Sequence, residues 1–180
     1  MKGTIFTELV KMAEDAFGED TVDMVLESAD LENGGAYTTV GNYPCSELIK
    51  IVMAFSAHSG LSPEVLQRKF GHWMLDYFVA NFPEFFAEKT DTFGLLESVD
   101  GEIHVEVKKL YPDAELPRFD TERPQDGQLD LIYSSPRPLD AFCHGIVEAS
   151  LAHFGQTGEI TRTPADDGSG ATRFTIKLAA

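Results

Sequence analysis

The chain has 180 residues, of which 43% are apolar and 24% charged, and its formal net charge is −16. This length and apolar content fit one folded domain with a substantial core, which two lobes can share. The acidic balance, without a lysine or arginine cluster, argues against nucleic-acid or anionic-membrane binding, since both need a basic patch. Cys45 and Cys143 predict free thiols. Without a signal peptide or an apolar run of about eighteen residues, we expect a cytoplasmic protein.

The first half of the chain predicts helices. Asp20 is the expected N-cap of a second helix, after a first helix that ends at Gly18. A third helix is expected to begin at Pro44 and to stop at Gly60, and a fourth covers about 62–82. Apolar residues recur at helical spacing in the first helix, at Ile5, Leu9, Met12 and Ala16.

The second half changes character after one more helical segment. From 92 to about 110 the pattern is helical, and a single apolar stripe is predicted, made of Leu96, Val99, Ile103, Val107 and Leu110. The remaining elements are strands near 117–122 and 127–135, a helix near 139–154, and a hairpin of 158–164 with 171–178. Asp166-Asp167-Gly168-Ser169-Gly170 is the predicted hairpin turn. Helices followed by an antiparallel sheet of about four strands, with one inserted helix, predict an α+β fold.

Three anion-binding side chains follow one another at the end of the second strand. Leu129, Leu131 and Tyr133 alternate as on one face of a half-buried strand. Prolines follow Ser135 and Arg137 and favour extended backbone there, so the Tyr133, Ser135 and Arg137 side chains are expected to point the same way. A phenol, an alcohol and a guanidinium suit the binding of carboxylates. The alternative is a strand that ends in ordinary exposed polar residues.

His104 is the candidate metal ligand. On the predicted helix it falls about 100° from the centre of the apolar stripe, beside the core face. It is either a satisfied, half-buried histidine or a neutral imidazole presented to a cofactor metal. The chain offers no four-ligand zinc spacing and no phosphate-binding or dinucleotide fingerprint. The aromatic residues of 73–86 are either core or the lining of a flat cofactor cavity.

Together these residues resemble the haem-nitric oxide/oxygen-binding (H-NOX) family, which includes the sensor region of soluble guanylate cyclase. The resemblance covers essentially the full length and is closest to bacterial stand-alone members. The matching segments are Met1-Lys2-Gly3-Thr4-Ile5, Phe70-Gly71, Ile103-His104 through Tyr111-Pro112, Leu116-Pro117, and Tyr133-Ser134-Ser135-Pro136-Arg137. The Tyr-x-Ser-x-Arg motif after the histidine is the most specific of them.

The resemblance implies a fold and a cofactor. One domain, 1–180, would comprise an N-terminal helical lobe (1–62) and a haem-binding α/β lobe (63–180), with haem b (iron protoporphyrin IX) between them. The assigned residues are His104 as the ligand to iron, Tyr133, Ser135 and Arg137 on the haem propionates, and Pro117 and Ile5 against the macrocycle.

The gas side of the implied pocket is apolar. Oxygen-binding members have a distal tyrosine that donates to bound dioxygen, and Phe142 stands at that position here. Bound dioxygen gains from a donor, whereas nitric oxide needs none, so we expect a nitric oxide sensor that also takes carbon monoxide. Tyr77 and His144 remain alternative donors. The other distal positions are Leu9, Met74, Phe78 and Ile146.

Some bacterial members also carry a zinc site near the C-terminus. Its positions are Asp140, Arg162, Ala165 and Arg173 in this chain, so we expect that site to be absent.

The resemblance further implies signalling rather than catalysis. Nitric oxide would weaken or break the bond between iron and His104, and the change would pass to a separate protein, a histidine kinase or a cyclic-di-GMP enzyme. Two alternatives remain. A haem enzyme of the peroxidase type would need a polar distal acid or base, and a haem-free interaction module would keep only the fold.

Overall fold

The computed structural model describes residues 1–165 and 168–179. The helices are α1 (Gly3–Phe17), α2 (Glu19–Ser28), α3 (Cys45–Ser59), α4 (Pro63–Asn81), α5 (Thr92–Ser98), α6 (His104–Leu110) and α7 (Asp140–His153). The strands are β1 (Arg118–Gln125), β2 (Gln128–Ser134), β3 (Gly158–Pro164) and β4 (Thr172–Leu178). A 3-10 turn (Pro83–Phe85) follows α4, and a π-helical turn (Val99–Ile103) joins α5 to α6. This order confirms the predicted α+β class.

The first four helices bury their apolar faces in one core, which we call the helical cluster. In α1 the buried residues Phe6, Leu9 and Ala13 recur at helical spacing, so one face of the helix enters the core. Because α4 contributes as well, this core extends beyond residue 62, and the division of the chain at that point stays a prediction. The buried members are Phe6, Leu9, Ala13, Val22, Val25, Leu26, Leu48, Ile51, Val52, Phe55, Leu66, Phe70, Met74 and Leu139.

The four strands form an antiparallel sheet in the order β1-β2-β4-β3. Leu129, Leu131 and Tyr133 are buried as alternate residues of β2, which confirms the predicted face. Helices α5 and α7 cover this face and complete a second core, the sheet cluster. Its buried members are Phe93, Leu96, Leu129, Leu131, Tyr133, Cys143, Val147, Leu151, Phe174 and Ile176.

The two cores meet where α4 crosses α7 at very short range. A Cβ atom added at Gly145 would lie 2.1 Å from the main-chain oxygen of Arg68. One added at Gly71 would lie 2.4 Å from the main-chain oxygen of Phe142. Glycine at these two positions therefore lets the backbones of the two helices touch, which fixes Phe142 against α4.

Two local predictions are wrong. Asp20 is not the N-cap of α2, because Gly18, with φ at 82°, separates α1 from α2 and Glu19 is already helical. The stripe predicted through Leu110 does not continue, because the π-helical turn rotates α6 and leaves Leu110 67% exposed. The strands of the predicted hairpin are β3 and β4, while Asp166 and Asp167 of its turn lie outside the described residues. None of the helices in the described ranges combines the length and apolar character of a membrane span.

Candidate functional site

His104 is the first residue of α6 and is held from one side. Its Nδ1 lies 3.2 Å from Oδ1 of Asp100, one helical turn earlier, and its side chain is only 16% exposed. Burial lowers the pKa of His104, against the opposing effect of the Asp100 hydrogen bond, so the imidazole is neutral at physiological pH. Nε2 makes no hydrogen bond to any residue in the described ranges. A neutral imidazole with one nitrogen free of hydrogen bonds can act as a metal ligand.

Tyr133, Ser135 and Arg137 come together as predicted. Tyr133 ends the buried face of β2, and burial raises the pKa of its hydroxyl to about 12, so the group stays protonated and can donate. That hydroxyl hydrogen-bonds Ser135, and the Arg137 backbone N–H donates to Ser135 Oγ at 3.1 Å. All three side chains line one cavity of about 290 Å³, which Pro136, Pro138, Asp140, Gly170 and Thr172 complete.

The guanidinium of Arg137 already holds a carboxylate. Its Nη2 donates to Oε2 of Glu115 at 2.6 Å, and its Nη1 donates to the Glu115 main-chain oxygen at 2.6 Å. Arg137 is 15% exposed, whereas the Glu115 side chain is 85% exposed. An arginine fork that is largely shielded from water and occupied by a displaceable surface carboxylate is suited to binding another carboxylate.

His104 and the three anion-binding residues lie on the same side of the molecule. The ring centroids of His104 and Phe119 are 5.7 Å apart, and those of Phe119 and Tyr133 are 5.5 Å apart. Phe119 and Tyr133 are direct partners in the register of β1 and β2. His104 itself lies outside the cavity lining, so Phe119 is the residue that connects the imidazole to the polar end of the site.

The start of the chain reaches the same region. The Met1 ammonium donates to the Tyr43 main-chain oxygen at 2.8 Å. Burial first, and then the charge of Arg137, lower the pKa of this ammonium, which places Arg137 near the start of α1. Ile5 and Leu9, the predicted contacts on α1, pack in the helical cluster.

The segment between α6 and β1 is tied to the N-terminal helices. Lys2 Nζ lies 3.0 Å from Oδ1 of Asp113, and Asn42 Nδ2 donates to the other oxygen of Asp113 at 2.8 Å. Pro117, half-buried, ends this segment just before β1. Since Glu115 pairs with Arg137, the segment that carries Pro117 contacts the N-terminal helices and the anion-binding residues at once.

The predicted distal residues form an apolar group. Leu9 and Met74 are buried in the helical cluster, and Phe142 and Phe78 pack against it. The rings of Phe142 and Phe70 are 5.1 Å apart. Ile146 is half-buried one turn further along α7, outside the helical cluster.

The two alternative donors differ in their surroundings, since Tyr77 lies beside the distal residues at the helical cluster and His144 lies at the sheet cluster. The His144 ring lies 5.9 Å from that of Phe174 in the sheet cluster, and its Nε2 is 3.6 Å from Glu148, so it faces away from Phe142 and the helical cluster. Tyr77 packs on Phe78, and burial followed by the charge of Glu8 raises its pKa. The nearby indole of Trp73 already donates to Glu8 Oε2 at 3.0 Å.

Three of the four positions matched to the zinc site of some family members, Asp140, Arg162 and Arg173, make ion pairs. Arg162 Nη1 lies 3.3 Å from Asp140, and Arg162 also pairs with Glu64 of α4. Arg173 pairs with Asp130 at 2.8 Å. No cluster of three potential metal ligands occurs within residues 1–165 and 168–179.

Three contacts at the site were missed by sequence reasoning. Asp100 precedes His104 by four residues, a spacing that could have suggested a helical pair. Glu115 and Phe119 carry no such signal, because their contacts with Arg137 and His104 depend on how the loop before β1 folds back.

The residues fit a haem. The free Nε2 of His104 is a suitable nitrogen ligand for haem iron. Arg137 binds the Glu115 carboxylate, the same chemical group as a haem propionate, and the protonated Tyr133 hydroxyl offers a further donor. The apolar distal residues suit the face of a porphyrin, because binding sites for large flat cofactors are mostly apolar with few polar groups.

Comparisons with known proteins agree with this site. A family profile described as "Haem-NO-binding" matches residues 2–162 of the chain. A comparison with curated protein sequences finds no match.

Solved structures resemble the chain over its full length. An Fe(II) unliganded H-NOX protein from K. algicida is 33% identical, with a TM-score of 0.91 and coverage of 100% of this chain and 97% of that one. An H-NOX from Shewanella woodyi, bound to IWP-051 in the Fe(II)CO state, is 39% identical, with a TM-score of 0.84 and coverage of 99% and 95%. An S. oneidensis H-NOX in the Fe(II)NO state is 25% identical, with a TM-score of 0.90 and full coverage of both chains. The chain therefore belongs to the H-NOX family of haem-binding domains, which are gas sensors and not enzymes.

Proposed function

We propose that this chain is a nitric-oxide-selective sensor that holds haem b between the lobes 1–62 and 63–180. The observation that carries the proposal is a neutral His104 with a free Nε2, joined through Phe119 to Tyr133 and the adjacent Arg137. When bound, ferrous haem would supply an open coordination position for a diatomic gas. His104 would hold the iron, and Tyr133, Ser135 and Arg137 would hold the propionates.

Selectivity for nitric oxide rests on the apolar distal residues. Phe142, Leu9 and Met74 offer no hydrogen-bond donor. Of the donors nearby, the indole N–H of Trp73 is already bonded to Glu8, while the Tyr77 hydroxyl beside Phe78 stays an alternative donor. A charged dioxygen ligand would be poorly stabilised there, whereas nitric oxide and carbon monoxide need no donor. Because Phe142, Leu9 and Met74 are neither acids nor bases, and Glu8 is already bonded to Trp73, the peroxidase alternative is disfavoured.

Signalling follows from how α6 is attached. If nitric oxide weakened or broke the bond between iron and His104, α6 would be free to move, and Ile5 and Pro117 are the residues that would respond at the macrocycle. The two lobes then repack as a two-state equilibrium that the gas biases. We infer a separate cytoplasmic signalling protein as the receiver, either a histidine kinase or a cyclic-di-GMP enzyme.

The direct test is the absorption spectrum of the reduced, haem-supplemented protein, alone, in air and with nitric oxide. We expect the reduced protein alone to give a five-coordinate ferrous spectrum. Air should form no stable oxygen complex, whereas nitric oxide should change the spectrum. A stable oxygen complex would contradict the proposed selectivity. A folded, colourless protein after haem supplementation would favour the haem-free interaction module.

Arg137→Ala is expected to weaken haem binding more than Ser135→Ala. The arginine change removes a charge-assisted fork, for about 1.5–3 kcal/mol or roughly 10–100-fold in affinity, while the serine change removes a neutral bond of about 1 kcal/mol. Transfer of haem to an apo-globin acceptor measures both losses. Arg118→Ala is the matched control, because Arg118 is 72% exposed and pairs only with Asp120 in the described residues. Equal losses for Arg137→Ala and Arg118→Ala would refute the role of Arg137.

Phe142→Tyr is expected to create measurable oxygen affinity. The new hydroxyl can donate to a bound dioxygen, a bond of about 1.5–3 kcal/mol when one partner is charged, or roughly 10–100-fold in affinity. Oxygen titration of the ferrous protein measures the gain. Phe17→Tyr adds the same hydroxyl at the end of α1, beside Phe55, and should leave oxygen binding unchanged. If Phe142→Tyr gains nothing, selectivity does not depend on the missing donor alone.

A further inference from the structure

The carboxylate of Asp100 contacts the imidazole of His104, the proposed ligand to haem iron. Asp100 Oδ1 lies 3.2 Å from Nδ1 of His104, within hydrogen-bond reach. Asp100 belongs to the π-helical turn and His104 begins α6, so both sit on one continuous stretch of helical backbone. The other imidazole nitrogen, Nε2, keeps its lone pair for a metal when Nδ1 carries the proton.

Other acids near His104 are held elsewhere. Glu102 Oε2 accepts from Lys89 Nζ at 2.6 Å, and Glu106 accepts from Lys109 at 2.6 Å. On the opposite side the imidazole meets the ring of Phe119, which has no acceptor group. Asp100 is therefore the carboxylate that this segment directs to the imidazole.

A carboxylate on Nδ1–H changes what the imidazole does at its other nitrogen. It fixes the tautomer and the ring orientation, and it makes Nε2 a stronger electron donor to a metal. We propose that Asp100 is a positioning residue that holds His104 as the Nδ1–H tautomer, strengthens its bond to haem iron and so raises the barrier to its release by nitric oxide. This inference rests on the proposed function, because it needs His104 as the iron ligand.

The partial exposure of Asp100 limits the size of the effect. Its side chain is 42% exposed, so water competes for the carboxylate oxygens. The second partners of metal-bound histidines are typically worth 10–100-fold in metal affinity, and the lower end, about 10-fold, is expected here.

The test compares Asp100→Asn and Asp100→Ala with Glu102→Gln in the reduced, haem-loaded protein. Glu102→Gln is the matched control, since it removes the same charge two residues from His104 without touching the imidazole. The readouts are the iron–histidine stretching frequency by resonance Raman, the rate of haem loss, and the fraction of the nitric oxide complex that has lost His104. Asp100→Ala should lower the frequency, speed haem loss about 10-fold and raise that fraction. Asp100→Asn keeps an acceptor oxygen without the charge and should fall between Asp100→Ala and wild type.

The outcomes separate this inference from the proposed function. If wild type shows an iron–histidine band, and Asp100→Ala and Asp100→Asn leave its frequency unchanged, the role of Asp100 is overturned. The sensor proposal would still stand. A wild-type protein with no such band would overturn both. Equal shifts for Glu102→Gln and Asp100→Asn would also refute the inference, because they would reduce the effect to general charge.

Discussion

His104→Ala is expected to leave the protein unable to retain haem. The substitution removes the proposed nitrogen ligand, while the residues proposed to bind the propionates and the macrocycle remain, so haem would bind only weakly. Imidazole added to the solution should restore a five-coordinate ferrous spectrum, because the deleted side chain leaves room for a ligand of the same chemistry. Haem content after gel filtration, with and without imidazole, measures the effect.

His58→Ala is the control for this experiment. His58 is an exposed histidine near the end of α3 that touches the ring of Phe17 and takes no part in the ring contacts of Phe119 and Tyr133. It should keep full haem content and an unchanged spectrum. Undiminished haem retention in His104→Ala would sink the assignment of the iron ligand, and with it the proposed signalling step.

Gly145→Ala is expected to cause a large loss of stability. Its added methyl would lie 2.1 Å from the Arg68 main-chain oxygen and 2.8 Å from two further Arg68 backbone atoms, none of which can rotate away as a side chain does. Helices α4 and α7 would have to separate, for about 3 kcal/mol at the upper part of the overpacking range. For a chain of this length that corresponds to a fall in Tm of roughly 6–12 °C. Thermal unfolding followed by circular dichroism measures it.

Gly94→Ala provides the comparison on α5. A Cβ there meets only Asp91 Oδ1 at 3.5 Å, which is ordinary contact, and alanine favours helix more than glycine does. Its Tm should be unchanged or slightly higher. If Gly145→Ala melts at the same temperature as Gly94→Ala, the close contact of α4 and α7 is not a source of stability.

The parts of the fold that sequence could predict depend on short-range pattern. Leu129, Leu131 and Tyr133 alternate, and the strand and its buried face follow from that alternation alone. The anion-binding residues continue the same local pattern, so their meeting around one cavity was also predictable. The family resemblance supplied the role of His104, which spacing left open between a core histidine and a ligand.

The remaining features depend on contacts between distant segments or on small backbone irregularities. The π-helical turn adds a residue to one turn, and no residue in Val99–Ile103 marks it. Gly18, and not Asp20, is the N-cap of α2, because glycine adopts a positive φ without strain. The pairing of Glu115 with Arg137 and the approach of Gly145 to Arg68 join residues far apart in sequence, which periodicity does not address.

The attachment of Asp113 to Lys2 and Asn42 sets a mechanical limit on α6. Asp113 lies three residues beyond Leu110, the last residue of that helix. A fully stretched backbone spans about 3.4 Å per residue, so the connection between Leu110 and Asp113 reaches at most about 10 Å. A larger displacement of α6 has to move Lys2 and Asn42 or break the contacts of Asp113, which couples movement of His104 to residues that precede α1 and α3.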